Sequence, residues 1–162
     1  MVILGVDPGS IRTGWGAIRS DGRRHHLIDK GVIAPPPRTE LPARLRYVHA
    51  GIADIIGRLE PDILAVEDLF HAKSARSALI LGHVRGVILL AGAEAGLRVQ
   101  AFPPATVKLQ ITGHGQAEKG QIAFMVARLL ALPGRGEAGD AADALAVALC
   151  HAHLHGLPVT AS

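Results

Sequence analysis

The chain has 162 residues, enough for one domain with a sizeable core and too few for two full domains. Apolar residues make up 49% of it, but charged and histidine side chains interrupt every apolar stretch before it reaches the ~18 residues of a membrane span. The first residues lack the basic opening and the small-residue cleavage site that are typical of a signal peptide. A cytoplasmic protein without a membrane partner is therefore expected. If four of the 14 acidic residues gather at one site, the rest of the chain has ten acidic and 17 basic residues. Such a basic surface around one acidic pocket is suited to binding nucleic acid.

Three strands are predicted in the first part of the chain, at residues 2–6, 13–19 and 26–34. The first is a short apolar run that ends at Asp-Pro-Gly, a turn signal. Ser20, Asp21 and Gly22 are typical of a hairpin between the second and third strands. Three consecutive prolines then close this meander.

Helices and strands alternate in the rest of the chain. The predicted elements are helices at residues 41–59, 74–95, 118–132 and 140–153, a short helix ending at Lys108, and strands at residues 63–66 and 98–102. This order predicts an α/β fold with a five-stranded mixed sheet and helices on both faces. The third strand is expected at an edge, and strands one and four should be central and parallel. Residues 1–155 are expected to form one domain, followed by a short tail at 156–162.

The predicted helix at residues 74–95 is apolar nearly all round. Two buried faces would explain this pattern, one on the sheet and one on another subunit. Gly82 and Gly86 would allow a second helix to approach closely. A core helix within one subunit is the alternative, because burial alone does not distinguish the two.

Four carboxylates stand at the ends of predicted elements. Asp7 and Glu67 lie at the carboxyl ends of the first and fourth strands, where sites form in open α/β sheets. Asp140 and Asp143, three residues apart, share one face at the start of the last helix. Taken singly, each acid could form a turn or cap a helix. Their coincidence favours one acidic cluster, which is our hypothesis for the catalytic centre.

Carboxylates that meet in one place repel each other strongly unless cations are present. Hard oxygen ligands suit Mg²⁺ or Mn²⁺, and histidine and cysteine spacing typical of zinc is absent from the sequence. Two such ions about 4 Å apart can activate water on one side of a phosphodiester and stabilise the leaving oxygen on the other. Metal-dependent phosphodiester hydrolysis is the chemistry that fits best.

Motifs along nearly the whole chain resemble those of RuvC-type Holliday junction resolvases. They are residues 3–10 (ILGVDPGS), 13–16 (TGWG), 65–70 (AVEDLF) with Ala72 and Lys73, 77–79 (SAL), 81–82 (LG), 85–86 (RG), Lys108, 117–119 (AEK) and 140–146 (DAADALA). The resemblance implies a ribonuclease H-like fold in which Asp7, Glu67, Asp140 and Asp143 match the family's metal ligands. Many relatives carry a longer basic tail after the last helix.

The resemblance also implies an activity and a set of partners. The expected activity is Mg²⁺-dependent endonuclease cleavage, with two ions per site and Mn²⁺ as a possible substitute. The expected substrate is four-way junction DNA, cut by a homodimer in paired symmetric nicks during homologous recombination and DNA repair. The expected partners are a branch-migration complex of a junction-binding protein and a hexameric motor, at the bacterial nucleoid.

Several side chains are candidates for contact with DNA. Phe70 lies three residues past Glu67, where an exposed ring could stack on a base opened at the crossover, although its position alone equally allows packing in the core. Lys108 and Lys119 could steady the scissile phosphate or the charge that develops in the transition state, and we assign Lys119 to the catalytic set. The candidate contacts to the DNA backbone are Lys73, Arg76, Arg12 and Arg44.

Other residues favour a structural interpretation. Trp15 is expected to pack in the sheet region and Cys150 in the core. His71 and His114 are expected near the cleft, where they could titrate or be bystanders. Three further histidines are spaced two residues apart near the end of the last helix: His151, His153 and His155. Because this spacing does not align their side chains on one helix face, we interpret them as a solvated helix end and not as a metal site.

Three other functions are compatible with parts of the sequence. An actin-like ATPase or sugar kinase also opens with an Asp-x-Gly phosphate loop, but it needs two such domains and this chain supplies one. A ribonuclease H-like nuclease that processes ribosomal RNA precursors has a related fold, and relative activity on RNA and branched DNA would discriminate. A non-catalytic junction-binding protein is disfavoured because all four acids are present.

Overall fold

The computed structural model describes residues 1–68 and 72–156, which form a five-stranded sheet with helices on both faces. The strands are β1 (Val2–Asp7), β2 (Thr13–Ser20), β3 (His25–Ile33), β4 (Ile63–Glu67) and β5 (Arg98–Phe102). The helices are α1 (Leu41–Leu59), α2 (Ala75–Glu94), α3 (Pro104–Thr112), α4 (Lys119–Leu129) and α5 (Asp140–His155). The strand order β3-β2-β1-β4-β5 confirms the predicted mixed sheet with β3 at an edge.

The register of the sheet places the ends of β1 and β4 side by side. β1 is antiparallel to β2 and parallel to β4, with Val6 opposite Val66. The next residue of each strand is an acid, Asp7 and Glu67. Because both strands run the same way, their carboxyl ends open at the same edge of the sheet, as predicted.

Two apolar clusters cover the two faces of the sheet. On one face, α3, α4 and α5 pack against residues such as Ile3 and Ala65. On the other face, α1 and α2 pack against residues such as Leu4 and Leu64. The alternation of Ile3 with Leu4 follows from the twofold period of a strand, which sends successive side chains to opposite faces. Asp7 is four residues after Ile3 on the same strand, so its side chain points to the face covered by α5.

Helix α5 lies unusually close to the sheet. A Cβ atom at Gly5 would collide with the backbone carbonyl of Ala144, and one at Gly14 would collide with the carbonyl of Asp140. Only glycine at these two strand positions lets the helix settle at this distance. The close approach buries α5 almost completely from Ala144 to Ala152 and fixes its acidic first turn against the sheet.

Some boundaries and one burial prediction differ from the sequence-based expectation. Helix α3 continues past Lys108 to Thr112, where Gly113 ends it in the left-handed conformation at φ 81°. Helix α4 ends at Leu129, earlier than predicted. His151, expected on a solvated helix end, is buried against Phe102, so that interpretation was wrong for this residue. Burial and the proximity of His155 lower the pKa of His151 to about 4, so the ring is neutral.

Other packing predictions are confirmed. Trp15 is buried in the α1/α2 layer, and Cys150 is fully buried in the α5 layer. Burial raises the pKa of the Cys150 thiol to about 12, which keeps it protonated and unreactive. His153 and His155 are exposed, as expected for the end of α5.

Helix α2 presents an apolar stripe to solvent. Its buried face, which includes Val84 and Ile88, packs on α1 and the sheet. The opposite face exposes residues at helical spacing, Leu79, Gly82, Gly86 and Leu90. A Cβ atom built on either glycine would meet nothing within 4 Å. The centre of this stripe is thus open to the close approach of another surface.

Among the described residues, one helix is long and apolar enough to span a membrane by length and composition, and it is α2. This finding differs from our expectation that no apolar stretch of the chain would be long enough to span a membrane. The charged residues Arg76, Arg85 and Glu94 lie within the helix, but most of its other residues are apolar. One face of α2 packs on α1 and the sheet, which accounts for part of its apolar composition.

Candidate metal centre

Each acid of the predicted cluster is held by a different local structure. Asp7 and Glu67 are the last residues of β1 and β4, and the register described above makes them neighbours. Asp140 is the first residue of α5, and the backbone N–H of Asp143 donates to the carbonyl of Gly139 in its first turn. The helix approaches because Gly14 has no side chain. Sheet and helix thus bring acids from three distant segments together.

The carboxylates meet at short distances. One oxygen from each of Asp7, Asp140 and Asp143 lies within 4.8 Å of the other two. Glu67 lines the same cavity of about 250 Å³ as Asp7 and Asp143, and its carboxyl group hydrogen-bonds with that of Asp7. All four side chains are partly buried. The structure therefore brings together all four acids selected from the sequence.

Burial and mutual repulsion perturb the acids strongly. Burial, followed by the negative charge of Glu67, raises the pKa of Asp7 from 3.8 to about 9. Burial also raises the pKa of Glu67 above its ordinary value. Burial raises the pKa of Asp143 too, although the ammonium group of Lys119 opposes that shift. Both shifts favour a protonated carboxyl group in the Asp7–Glu67 pair.

Cationic side chains border the cluster on two sides. Lys119 donates from its Nζ to Oδ2 of Asp143 at 3.2 Å, and Lys108 lines the same cavity. Asp143 raises the pKa of Lys119, which keeps the ammonium group charged. Arg12, considered from the sequence as a DNA contact, forms an ion pair with Asp140 at 3.2 Å between Nε and Oδ2.

The donor set fits a hard divalent cation. Carboxylate oxygens are the ligands that Mg²⁺ and Mn²⁺ prefer, and the cluster offers several within one small cavity. Burial and, after it, the charges of neighbouring acids raise the pKa values of Asp7 and Glu67, so their ionised forms are disfavoured in the protein alone. A bound cation would favour the ionised forms.

The other predicted site residues have different positions. Lys73 and Arg76 are exposed just before and within the first turn of α2, outside the residues that line the acidic cavity. His114 lines a separate cavity of about 470 Å³ with Phe124 and Arg135. Arg44 lies on α1, which packs on the opposite face of the sheet from the acids. Phe70 and His71 lie outside the described residues.

Two features that build the site were not identified from the sequence. Gly14 was treated only as part of a motif, although its lack of a side chain admits the start of α5. Lys119 is placed by the first turn of α4, where the backbone N–H of Glu118 donates to Oε1 of Gln121 at 2.9 Å. The Glu-x-x-Gln spacing is a capping signal that supports the predicted start of this helix at Glu118.

Comparisons with known proteins identify the family of the chain. The family model described as crossover junction endodeoxyribonuclease RuvC matches residues 3–151. The protein of that name from Desulforamulus reducens is 49% identical over 152 residues, covering 94% of this chain and 93% of that one. Its counterpart from Koribacter versatilis is 47% identical over 154 residues, with the same shares covered.

A solved structure gives the same result in three dimensions. Thermus thermophilus RuvC in complex with Holliday junction substrate matches with a TM-score of 0.90 and 34% sequence identity. The match covers 97% of this chain and 96% of that one. The fold is therefore ribonuclease H-like, as expected. By family model, sequence identity and structure, the chain belongs to the RuvC family of crossover junction endodeoxyribonucleases.

Proposed function

We propose that this protein is a metal-dependent endonuclease that resolves four-way DNA junctions by paired symmetric nicks in homologous recombination and DNA repair. The observation that carries the proposal is the cluster of Asp7, Glu67, Asp140 and Asp143, bordered by Lys108 and Lys119. A relative of 34% identity has been solved with Holliday junction substrate, which supports the choice of DNA substrate.

The proposed chemistry assigns a role to each side chain. Asp7, Glu67, Asp140 and Asp143 would hold two Mg²⁺ ions, with Mn²⁺ as a substitute. When bound, such ions activate water and stabilise the leaving oxygen of a phosphodiester. Lys119, anchored by Asp143, and Lys108 carry positive charge into the same cavity. There they orient the scissile phosphate and offset the charge that develops on it.

The exposed stripe of α2 supports a homodimer. Leu79 and Leu90 lie at its ends, and Gly82 and Gly86 at its centre leave room for a second helix to approach. A homodimer usually has twofold symmetry, and a four-way junction is close to twofold symmetric. Two copies of the acidic centre could then cut two strands at equivalent positions, which is what paired nicking requires.

Further assignments follow the family expectation. Lys73 and Arg76, both exposed near the start of α2, are proposed contacts to the DNA backbone, and Phe70 is proposed to stack on a base at the crossover. We further propose a single nuclease domain over residues 1–155 and action in the cytoplasm at the nucleoid. The proposed partners there are a junction-binding protein and a hexameric branch-migration motor.

A substrate panel tests the proposal against its alternatives. Purified protein is incubated in Mg²⁺ with a synthetic four-way junction, matched linear duplex and a structured ribosomal RNA precursor. We expect nicks on the junction alone, and loss of cleavage with retained junction binding in Glu67→Gln. Preferential cutting of the RNA would favour the RNA-processing alternative. Junction binding without cleavage in either Mg²⁺ or Mn²⁺ would favour a non-catalytic binding protein.

A further inference from the structure

An ion pair joins helix α2 to the residue that follows Glu67. The backbone N–H of Asp68 donates to the carbonyl of Phe102 at 2.8 Å, which extends the pairing of β4 with β5 by one residue. Because successive side chains of an extended chain point to opposite faces, Asp68 points to the α2 layer while Glu67 points to the α5 layer. There Nη2 of Arg85 lies 3.3 Å from Oδ1 of Asp68.

The surroundings of Arg85 are unfavourable for an arginine. Its side chain is only 23% exposed, and its Nε is buried with no hydrogen-bond partner in the described part of the chain. An unsatisfied buried donor destabilises the folded state, whereas an apolar side chain of similar length would pack there without that cost. Arginine at this position therefore carries a local cost that an apolar side chain would avoid. Such local conflicts are expected where a residue serves function.

The helix that carries Arg85 also carries the exposed stripe. Gly86, the next residue, lies at the centre of that stripe, with Leu79 and Leu90 at its ends. The ion pair thus links the helix that we propose as the dimer surface to the end of the strand that holds Glu67.

We infer that Arg85 is a positioning residue, which holds Glu67 in place through Asp68 and fixes the metal centre relative to α2. This inference rests on the proposed function, because it concerns the same acidic site. Ligands must be held to within about 0.5 Å to support catalysis. Without the ion pair, the end of β4 keeps its hydrogen bond to Phe102 but loses its contact with Arg85 on α2.

The expected effect is on metal binding and turnover and not on DNA affinity. Loss of groups that support metal ligands typically weakens metal affinity or activity by about 10–100-fold. For Arg85→Met we expect the single-turnover cleavage rate at saturating junction to fall by about 10–100-fold. Mn²⁺ affinity should fall by about tenfold, while the junction Kd stays within about threefold of wild type, since Arg85 is outside the acidic cavity.

The experiment compares a set of matched variants of the full chain. Mn²⁺ is titrated calorimetrically into DNA-free protein, and cleavage is then measured on the junction. The set is Arg85→Met, Asp68→Asn, the double variant and Arg85→Lys. Arg58→Met is the control, because it removes the exposed ion pairs of Arg58 with Asp54 and Asp29. We expect the double variant to be no worse than the worse single variant, Arg85→Lys to recover part of the loss, and the control to match wild type.

Two results would overturn the inference. One is wild-type Mn²⁺ affinity and cleavage in Arg85→Met. The other is a loss of activity that follows a loss of thermal stability and is not restored by lysine, because that pattern indicates a purely structural role. If the wild-type protein cuts no junction, the proposed function fails, and the Mn²⁺ titration still decides separately whether Arg85 positions the acidic site.

Discussion

In the absence of divalent metal, Asp7→Asn should make the protein more stable. The wild-type cluster gathers four acids, and burial together with the charge of Glu67 raises the pKa of Asp7 from 3.8 to about 9. An amide in place of the Asp7 carboxyl keeps the side chain's size but removes one charge from this crowded site. A substitution that abolishes metal binding is therefore expected to relieve repulsion in the metal-free fold.

The sign and size follow from the shift in pKa. Because the folded pKa exceeds the unfolded one, the stability associated with this proton is fully present below about pH 4 and is lost as the pH rises through about 9. Each pH unit is worth about 1.4 kcal/mol, so the upper limit at pH 7.5 is about 5 kcal/mol. Glu67 shares the proton and the site relaxes, so we expect about 1–3 kcal/mol, or about 3–10 °C in Tm.

Thermal unfolding in chelator from pH 4.5 to 8.5 measures this effect. The stability advantage of Asp7→Asn should grow with pH, and Mg²⁺ should stabilise the wild type more than the variant. Asp54→Asn, which removes an exposed acid on α1, should change stability by less than about 0.5 kcal/mol. If Asp7→Asn is no more stable than wild type at pH 8.5 in chelator, the cluster is not repulsive and the reasoning is wrong.

Three further predictions concern cleavage and assembly. Lys119→Met should slow single-turnover cleavage by about 100-fold while weakening junction binding far less, because Lys119 contacts Asp143 at the acidic site; equal losses in both would contradict its role. Gly14→Ala should displace the start of α5 at Asp140 and abolish cleavage in Mg²⁺, whereas full activity would show that this close approach is not needed. Gly86→Leu should leave the fold of one subunit intact, as judged by circular dichroism, but shift sedimentation towards monomer; an unchanged dimer would place the interface elsewhere.

The sheet and the acidic cluster could be predicted because they depend on short-range signals. Asp7 and Glu67 each end a short apolar run, and parallel neighbouring strands bring such ends together. Asp140 and Asp143 share a helix face by spacing alone. These patterns involve few residues each, so sequence reasoning placed all four acids at one site.

The residues at which helices end were harder to predict from the sequence where contacts with other parts of the fold determine them. Helix α3 continues past Lys108 until Gly113 adopts a left-handed conformation, a signal that was available but interpreted only as a loop. Helix α4 ends at Leu129, and Ala131 follows with a φ of 52°. A positive φ is unfavourable for alanine, so the sequence did not indicate it. The N–H of Leu132 donates to the carbonyl of Ala127 at 2.8 Å, which stabilises this turn.

Contacts between distant segments could not be derived from the sequence. The ion pairs Arg12–Asp140 and Arg85–Asp68 join residues far apart in the chain, and no local pattern pairs them. The burial of His151 depends on how closely α5 approaches the sheet, which in turn depends on Gly5. Such features follow from packing in three dimensions and become visible only in the folded chain.

The most direct test of the central claim maps the cuts made on a four-way junction labelled on each strand in turn. In Mg²⁺, the wild-type protein should nick two opposing strands at symmetric positions, leaving ends that a ligase can join. Asp143→Asn should bind the same junction and leave all four strands intact. Cleavage by Asp143→Asn at the wild-type rate, or unpaired cuts that a ligase cannot seal, would contradict the account of a four-acid centre acting in a symmetric dimer.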